Sequence, residues 1–432
     1  MARALGLDFG TTNSVIAVAD PAGQATHSLR FTSSAGTTDT MRTALGFMKG
    51  RGADGLAAMT VEAGQAAIRL FIDNPGQCRF LQSIKTFAAS AAFQTTTVHA
   101  RRHTFEDLVE AFLRRLQDYA GGEWPADAAR LVVGRPVRFA GTNPNEELAM
   151  ERYRAALSRF GFPEIHYVYE PVAAAYWFAQ GLARDATVLV ADFGGGTTDY
   201  SLIRFERRAG RLEAVPIGHG GVGIAGDQFD YRMIDNLVAP EIGKGSQVRS
   251  FGKLLDLPAS YFASFGRWNQ LSIFKTTREF TELKSLVRQA VEPAKLGLFV
   301  DLVEYDEGYP LYQAVSATKM ALSEAEEAEF HFPPLGAAGR KTVRRADFEA
   351  WIADDLSQIE AALDEVLATT HTQAQSVDKV FLTGGTSFVP AVRRLFERRF
   401  GAERLESGGE LLSIAHGLAL IGESGDVQRW AA

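Results

Sequence analysis

Leu5-Gly-Leu-Asp-Phe-Gly-Thr-Thr-Asn-Ser14 near the start and Leu189-Val-Ala-Asp-Phe-Gly-Gly-Gly-Thr-Thr-Asp199 near the middle repeat one design. Each reads as an apolar strand, an acid, a glycine turn, two threonines and the start of a second strand. Glycine lets the backbone turn at positive φ and approach a ligand closely, and successive turn N–H groups form a concave surface of donors for anionic oxygens. An Asp just before such a turn repels phosphate, but it can hold a divalent cation through the cation's water shell. Asp8 and Asp192 therefore read as paired metal-side carboxylates of one two-sided phosphate clamp. A polar hairpin turn would explain either copy alone; two copies in one chain favour phosphate.

Working outward, each copy opens a half of similar plan. In the first half the strands Leu5–Asp8 and Ser14–Asp20 lead to a turn at Pro21–Gly23, and residues from about Phe31 to His103 look like an insertion. The insertion holds a strand at Ala44–Met48, an alanine-rich helix at Thr60–Phe71, and Lys85. Apolar residues at helical spacing predict a helix over Phe105–Ala120. A buried strand at Arg130–Gly134, an Arg-Pro turn, a helix around Glu146–Phe160 and a strand at Ile165–Tyr169 follow. Glu170-Pro171 then opens a helix over Val172–Gln180, since Pro suits a first helical turn.

The second half begins with strands Thr187–Asp192 and Asp199–Phe205. After the glycine-rich Gly218–Gly226 the pattern is mostly helical to about Val343, with a short β stretch at Glu329–Phe332. A helix at Arg345–Ala368 leads to the strand Lys379–Leu382, the turn Thr383-Gly-Gly385, a helix at Val389–Phe400 and a closing helix at Leu412–Ile421. The domain reading is 1–30 with 105–184 as one core and 31–104 inserted in it, then 185–224 with 344–432 as a second core and 225–343 inserted in that.

At 432 residues the chain exceeds the size at which one hydrophobic core stops growing, and 46% apolar residues suit ordinary globular packing. A net charge of −7 offers no basic field, so no nucleic-acid or membrane partner is expected. Cys78 is the sole cysteine, which excludes an intrachain disulfide and a cysteine metal site. No apolar run reaches the length of a membrane span and no secretory leader is evident, so the expectation is a cytoplasmic monomer.

The two phosphate turns, the corner Tyr169-Glu-Pro-Val-Ala-Ala-Ala175 and Val380-Phe-Leu-Thr-Gly-Gly-Thr-Ser-Phe-Val-Pro390 resemble, in the same order, the ATPase domain of the 70-kDa heat-shock (DnaK-type) chaperones. Gly226-Asp-Gln-Phe-Asp-Tyr-Arg-Met233 looks like the segment that opens that family's fourth subdomain, and Ala346-Asp-Phe-Glu349 like its return. The resemblance implies an α/β actin-like ATPase (ribonuclease H-like) fold: two pseudo-symmetric lobes, each with an inserted subdomain, around a central nucleotide cleft. Only eleven residues follow Ile421, and neither the family's linker nor its peptide-binding domain is recognisable there. The chain is thus similar to a short, ATPase-domain-only, YegD-like branch.

The resemblance also implies roles. Gly10, Thr11, Thr12 and Asn13 form the first phosphate loop, and Gly194, Gly195, Gly196 and Thr197 the second, with Asp8 and Asp192 holding Mg2+ through water. Lys85 reaches the γ-phosphate, Glu170 holds a metal-bound water or polarises the nucleophile, and Asp199 helps place K+ or the attacking water. Thr197 belongs with this catalytic set. Gly226, Lys319, Ser323, Gly384, Gly385 and Phe388 take the nucleoside side of ATP or ADP. A surface Lys would be the plain reading of Lys85, and a turn-closing Asp that of Asp199.

Four positions depart from the family. Ser316 replaces a usual Glu, while Met320 and Phe388 stand where two arginines sandwich adenine. Each lost arginine removes about 0.5–2 kcal/mol of cation–π attraction, so weaker ATP binding or looser base selectivity is expected; alternatively both residues are core and the pocket is lost. A second window, Glu292-Pro-Ala-Lys295, keeps the Glu and Lys but lacks the following Ser. Met150 falls where the family's relay arginine stands, with Arg152 out of register. The function implied is a slow ATPase whose lobes close on Mg-ATP and open on ADP, read by a protein client or co-chaperone. A non-hydrolysing nucleotide-dependent scaffold and a small-molecule kinase of the same superfamily are the alternatives.

Overall fold

A computed structural model describes residues 3–20, 25–51, 57–74, 76–125, 127–141, 143–208, 211–250, 252–263, 265, 271, 274–275, 277–408, 411–424 and 427–431. The turn read at Pro21–Gly23 lies outside them. The chain divides into two compact units, one of residues 1–225, 358–387 and 392–432, the other of 226–357 and 388–391.

The first unit holds two sheets of matching plan. In one, the strand Arg3–Phe9 pairs in parallel with Ala128–Arg135, which pairs in parallel with Glu164–Tyr169; on its other side Arg3–Phe9 forms a hairpin with Asn13–Ala19, which continues to Thr26–Ser28. In the other, Ala186–Phe193 pairs in parallel with Lys379–Thr383 and that with Leu405–Ser407, while the opposite side forms the antiparallel run Thr198–Arg208 and Arg211–Val222. Helices cover the central strands, so these are near-continuous apolar runs rather than alternating ones. All eight residues of Ala186–Phe193 are buried.

Small residues bring the closing helix Ser413–Glu423 onto the first sheet. A Cβ on Gly6 would stand 2.2 Å from Ala415 O, and one on Gly417 only 1.8 Å from Ala173 O in the helix Glu170–Ala179. Leu5, Leu7, Phe9, Phe112 and Phe139 fill one core, and Val188, Val190, Phe205 and Phe381 another. A separate antiparallel sheet of Ala57–Ala63, Ala44–Arg51 and Cys78–Gln82 lies within the first unit.

The second unit is mainly helical, with Gly226–Leu237, Pro293–Glu304 and Gly308–Glu324, plus the hairpin Glu327–His331 and Arg340–Arg344. Phe262, Phe265, Phe274, Phe280 and Phe299 pack ring to ring inside it. Among the described residues no helix is long and apolar enough to cross a membrane.

Two expected helices differ from the sequence reading, and Gly218–Val222 of the glycine-rich stretch is the end of the strand Arg211–Val222, which that reading lacked. Thr60–Ala63 is strand, and the helix begins only at Gly64 and ends at Asp73. Pairing with Ala44–Arg51 overrides the alanine-rich helical pattern, and Gly64 at φ +61° breaks the strand. The helix expected over Arg345–Ala368 is two helices, Arg345–Trp351 and Ala353–Thr369, because Ile352 leaves helical geometry at φ −97°, ψ 5°.

Candidate functional site

Asp8 and Asp192 occupy equivalent places, each one residue before the end of a central strand and facing the hairpin partner, Val15 for Asp8 and Asp199 for Asp192. Behind Asp8, a Cβ on Gly10 would lie 2.1 Å from Asn13 O, so only glycine fits this turn. Thr43 braces it. Its N–H donates to Thr12 O at 2.9 Å and its hydroxyl to Gly10 O at 2.8 Å, while the Ser14 hydroxyl lies 2.8 Å away.

The second loop closes on itself, with Gly194 N–H donating to Thr197 O at 2.9 Å. Gly195, Gly196 and Thr197 are half-buried. A Cβ on Gly196 would stand 4.0 Å from Thr11 Oγ1, so the two threonine-bearing loops meet. Gly384 at φ +82° packs directly behind, where a Cβ would lie 2.1 Å from Phe193 O; around Gly385 that position is open.

Beneath the loops lies a buried charge cluster. Lys85, in the short 3-10 turn Ile84–Phe87, pairs with Glu170 at 2.5 Å, and both side chains are buried. Glu170 fits because the strand Ala128–Arg135 carries glycine opposite it; a Cβ on Gly134 would lie 3.0 Å from Glu170 Cγ. Asp199 Oδ1 accepts from Val137 N–H at 2.9 Å and Arg138 N–H at 3.1 Å, the turn after Pro136.

Burial first, and then the Glu170 charge, push Asp8 up to about 7 despite Lys85. Burial and Glu170 likewise push Asp199 up to about 7, against hydrogen bonds from Thr197 and Arg138. Asp192 is raised well above the carboxylate range by burial, Glu170, Asp199 and Asp8. For Lys85 burial acts downward, but Glu170, Tyr153 and Asp8 outweigh it and hold the ammonium protonated. Four carboxylates thus share one buried ammonium. An acidic pocket of this kind, set behind two donor-rich loops, fits a hydrated divalent cation carrying phosphate. Among the described residues no three His, Cys, Asp or Glu side chains are grouped to ligate a metal directly.

Several supports escaped the sequence reading. Thr43 and Gly134 come from segments without a motif of their own. Arg152 is buried and donates to Phe87 O, Ala88 O, Ser90 O and Phe93 O at 2.5–3.1 Å, fixing the segment that follows Lys85. Met150 is core. Tyr153, on the same helix Glu146–Leu157, is buried, and its hydroxyl has no hydrogen-bond partner among the described residues.

In the second unit, Lys319 Nζ lies 2.6 Å from Asp230 Oδ1 and 3.4 Å from Gly226 O, tying two helices. The Ser323 hydroxyl donates to Lys319 O within its helix. Met320 and Phe388 are 67% and 56% exposed, which overturns the alternative that they are core. Lys295 pairs with Glu292 on an exposed face. His416 hydrogen-bonds Thr26 and Ser28, and His219 stacks near Tyr169.

A family model described as "Hsp70 protein" matches residues 153–249 and 300–426. Among curated relatives, the chain is 25% identical to the chaperone protein DnaK of Deinococcus deserti over 97% of this chain and 59% of that one. It is 25% identical to DnaK of Thermus thermophilus over 99% and 62%, and 26% identical to DnaK of Thermotoga petrophila over 96% and 58%. The chain spans about three-fifths of the length of these curated relatives.

Proposed function

Since the chain belongs to the Hsp70 family and has its actin-like ATPase fold, we propose that it is a chaperone-type ATPase whose paired loops hold Mg-ATP and hydrolyse it slowly to ADP and phosphate. The observation that carries this reading is the meeting of Thr11 and Gly196 above the cluster of Asp8, Asp192, Asp199, Glu170 and Lys85.

In this reading the N–H groups of Gly10–Asn13 and Gly195–Thr197 bind the phosphates from two sides, while that of Gly194 holds the second loop closed on Thr197 O. Asp8 and Asp192 hold the hydration shell of Mg2+, which when bound draws charge from the phosphate oxygens. Lys85 turns from Glu170 to the γ-phosphate, a positively charged contact that strengthens as charge shifts in transfer. Glu170 orients the attacking water. Asp199, raised to about 7, can take that water's proton near neutral pH, where a base works best, or hold K+ beside it. Gly384 allows close approach behind the second loop, while Gly226, Lys319, Ser323 and Phe388, with Gly385, are assigned to the nucleoside.

The domain scheme 1–30 with 105–184, 31–104, 185–224 with 344–432, and 225–343 belongs to this proposal, as does lobe closure on ATP. So does a protein client or co-chaperone as the partner that reads the nucleotide state. The test is single-turnover hydrolysis of Mg-ATP by the wild type and Lys85→Ala. Turnover lost with Lys85 supports the reading. ATP that binds without turnover in either protein would make it a nucleotide-dependent scaffold, and phosphate arriving on an added sugar a kinase.

A further inference from the structure

The strands Ala128–Arg135 and Glu164–Tyr169 run side by side in parallel and end level, with Arg135 opposite Tyr169. After Arg135 comes the turn whose Val137 and Arg138 N–H groups hold Asp199, and after Tyr169 comes Glu170. The two carboxylates assigned to the attacking water thus hang on neighbouring strand ends, one through a turn and one directly.

Arg135 joins these ends. Its guanidinium lies over the Tyr169 ring at 5.0 Å and over the ring of Phe139, at the far end of the turn, at 5.4 Å. Nε donates to Pro136 O at 3.3 Å within the turn, and Nη2 to Glu146 Oε2 at 3.2 Å. Glu146 opens the helix that carries Arg152, and so the segment after Lys85. His219 lies 4.8 Å from the Tyr169 ring, on the same strand as Gly221, where a Cβ would stand 2.8 Å from Asp199 Oδ1.

Filling space does not call for an arginine here. The side chain is buried while its carboxylate partner Glu146 is exposed, so the charge gives up hydration for a modest return. An apolar side chain would pack against both rings without that cost. What the guanidinium adds is a rigid plane for aromatic faces together with N–H donors at its rim.

We infer that Arg135 is a positioning residue, a lock that ties the turn Pro136–Phe139 to the corner Tyr169–Glu170 so that Asp199 and Glu170 keep one spacing about the attacking water. The inference rests on the ATPase reading above. No proton or bond passes through Arg135; it acts by holding two carboxylates in place.

The test is a double-mutant cycle of Arg135→Met and Tyr169→Leu, run on kcat and KM for Mg-ATP and on the nucleotide-free Tm. Methionine keeps an unbranched stem but has neither plane nor donors. Each single change should lower kcat by at least about fivefold with KM within about twofold, because a small misplacement of catalytic groups costs rate rather than binding. The double variant should lose no more than about threefold beyond either single, since both changes break one contact. Arg135→Lys, which keeps the charge and loses the plane, should stay within about threefold of Arg135→Met. A smaller loss in Arg135→Met, a larger recovery by lysine, losses that multiply in the double variant, or KM rising in step with the fall in kcat each overturn the inference. If Arg135→Met does not fold, Tyr169→Leu against Tyr169→Phe carries the test: phenylalanine should keep at least about a third of wild-type kcat, and equal losses overturn the inference. The Tm cycle needs no nucleotide, and Tm losses that add in full also overturn the lock. A wild type that neither binds nor turns over Mg-ATP removes the nucleotide reading instead, and the Tm cycle then still decides whether Arg135 and Tyr169 act as one.

Discussion

Lys85 lies buried 2.5 Å from Glu170, beside Asp8, Asp192 and Asp199, whose proton affinities burial raises, whereas Met320 and Phe388 stand 67% and 56% exposed in the second unit. A charge taken out of water must be balanced by its immediate neighbours, and removing one partner of a buried pair costs about 3–5 kcal/mol. An exposed apolar side chain has no such dependants. The phosphate residues are therefore bound to one another, while the residues assigned to the base can change with graded consequences.

The sharpest way to break this contrast is Lys85→Ala. Four buried carboxylates then lack the Lys85 ammonium, and the γ-phosphate loses its cationic contact. Hydrolysis should fall by about 10²–10³-fold, the effect of deleting one preorganised electrostatic contact. Quench-flow measurement of bound ATP and ADP reads this directly, and a fall of less than about tenfold would show that the cluster is not coupled to transfer.

Next in size is Gly384→Ala against Gly385→Ala. The first places a methyl 2.1 Å from Phe193 O at φ +82°, whereas the second meets nothing within 4 Å. Gly384→Ala should lower Tm by at least about 5 °C, from the left-handed backbone and the backbone clash together. Gly385→Ala should leave Tm close to wild type. Equal melting of the two would mean that the strand end behind the second loop yields easily.

A third effect is pH dependence. Asp8 and Asp199 rise from 3.8 to about 7 on folding, so between those values the folded protein binds more protons than the unfolded chain. By linkage, this contribution to stability falls as pH rises through the window from about 4 to about 7. Nucleotide-free Tm should decline over that range, and Mg2+ with ATP should flatten the decline by supplying the missing positive charge. A Tm that climbs across the window would contradict the uncompensated cluster.

The same difference between regions explains what could be read in the chain. Both hairpins and their central strands were legible because apolar runs bounded by Asp-Phe-Gly can only be buried strands leading to a tight turn. The strand expected at Arg130–Gly134 is Ala128–Arg135, and that at Ile165–Tyr169 is Glu164–Tyr169. Thr60–Ala63 was misread because the pattern there is helical and only pairing with Ala44–Arg51 makes it strand. In the site, the loops carry their own signature, but Thr43, Gly134 and Arg152 act through contacts tens of residues away in sequence. A glycine at the end of a buried strand was the one available clue to Gly134.

The smallest expected effect tests the exposed side of the comparison. Phe388→Arg restores a guanidinium at the position where the family carries one, on a side chain that no described core requires. A cation over a purine face contributes about 0.5–2 kcal/mol, so ATP affinity should improve by about 2–30-fold in calorimetry, with Tm unchanged in the absence of nucleotide. The preference for ATP over GTP should rise with it, because the gain depends on the base and not on the phosphates. Equal gains for ATP, GTP and inorganic triphosphate would instead assign the new charge to the phosphates, and would place Phe388 away from the base altogether.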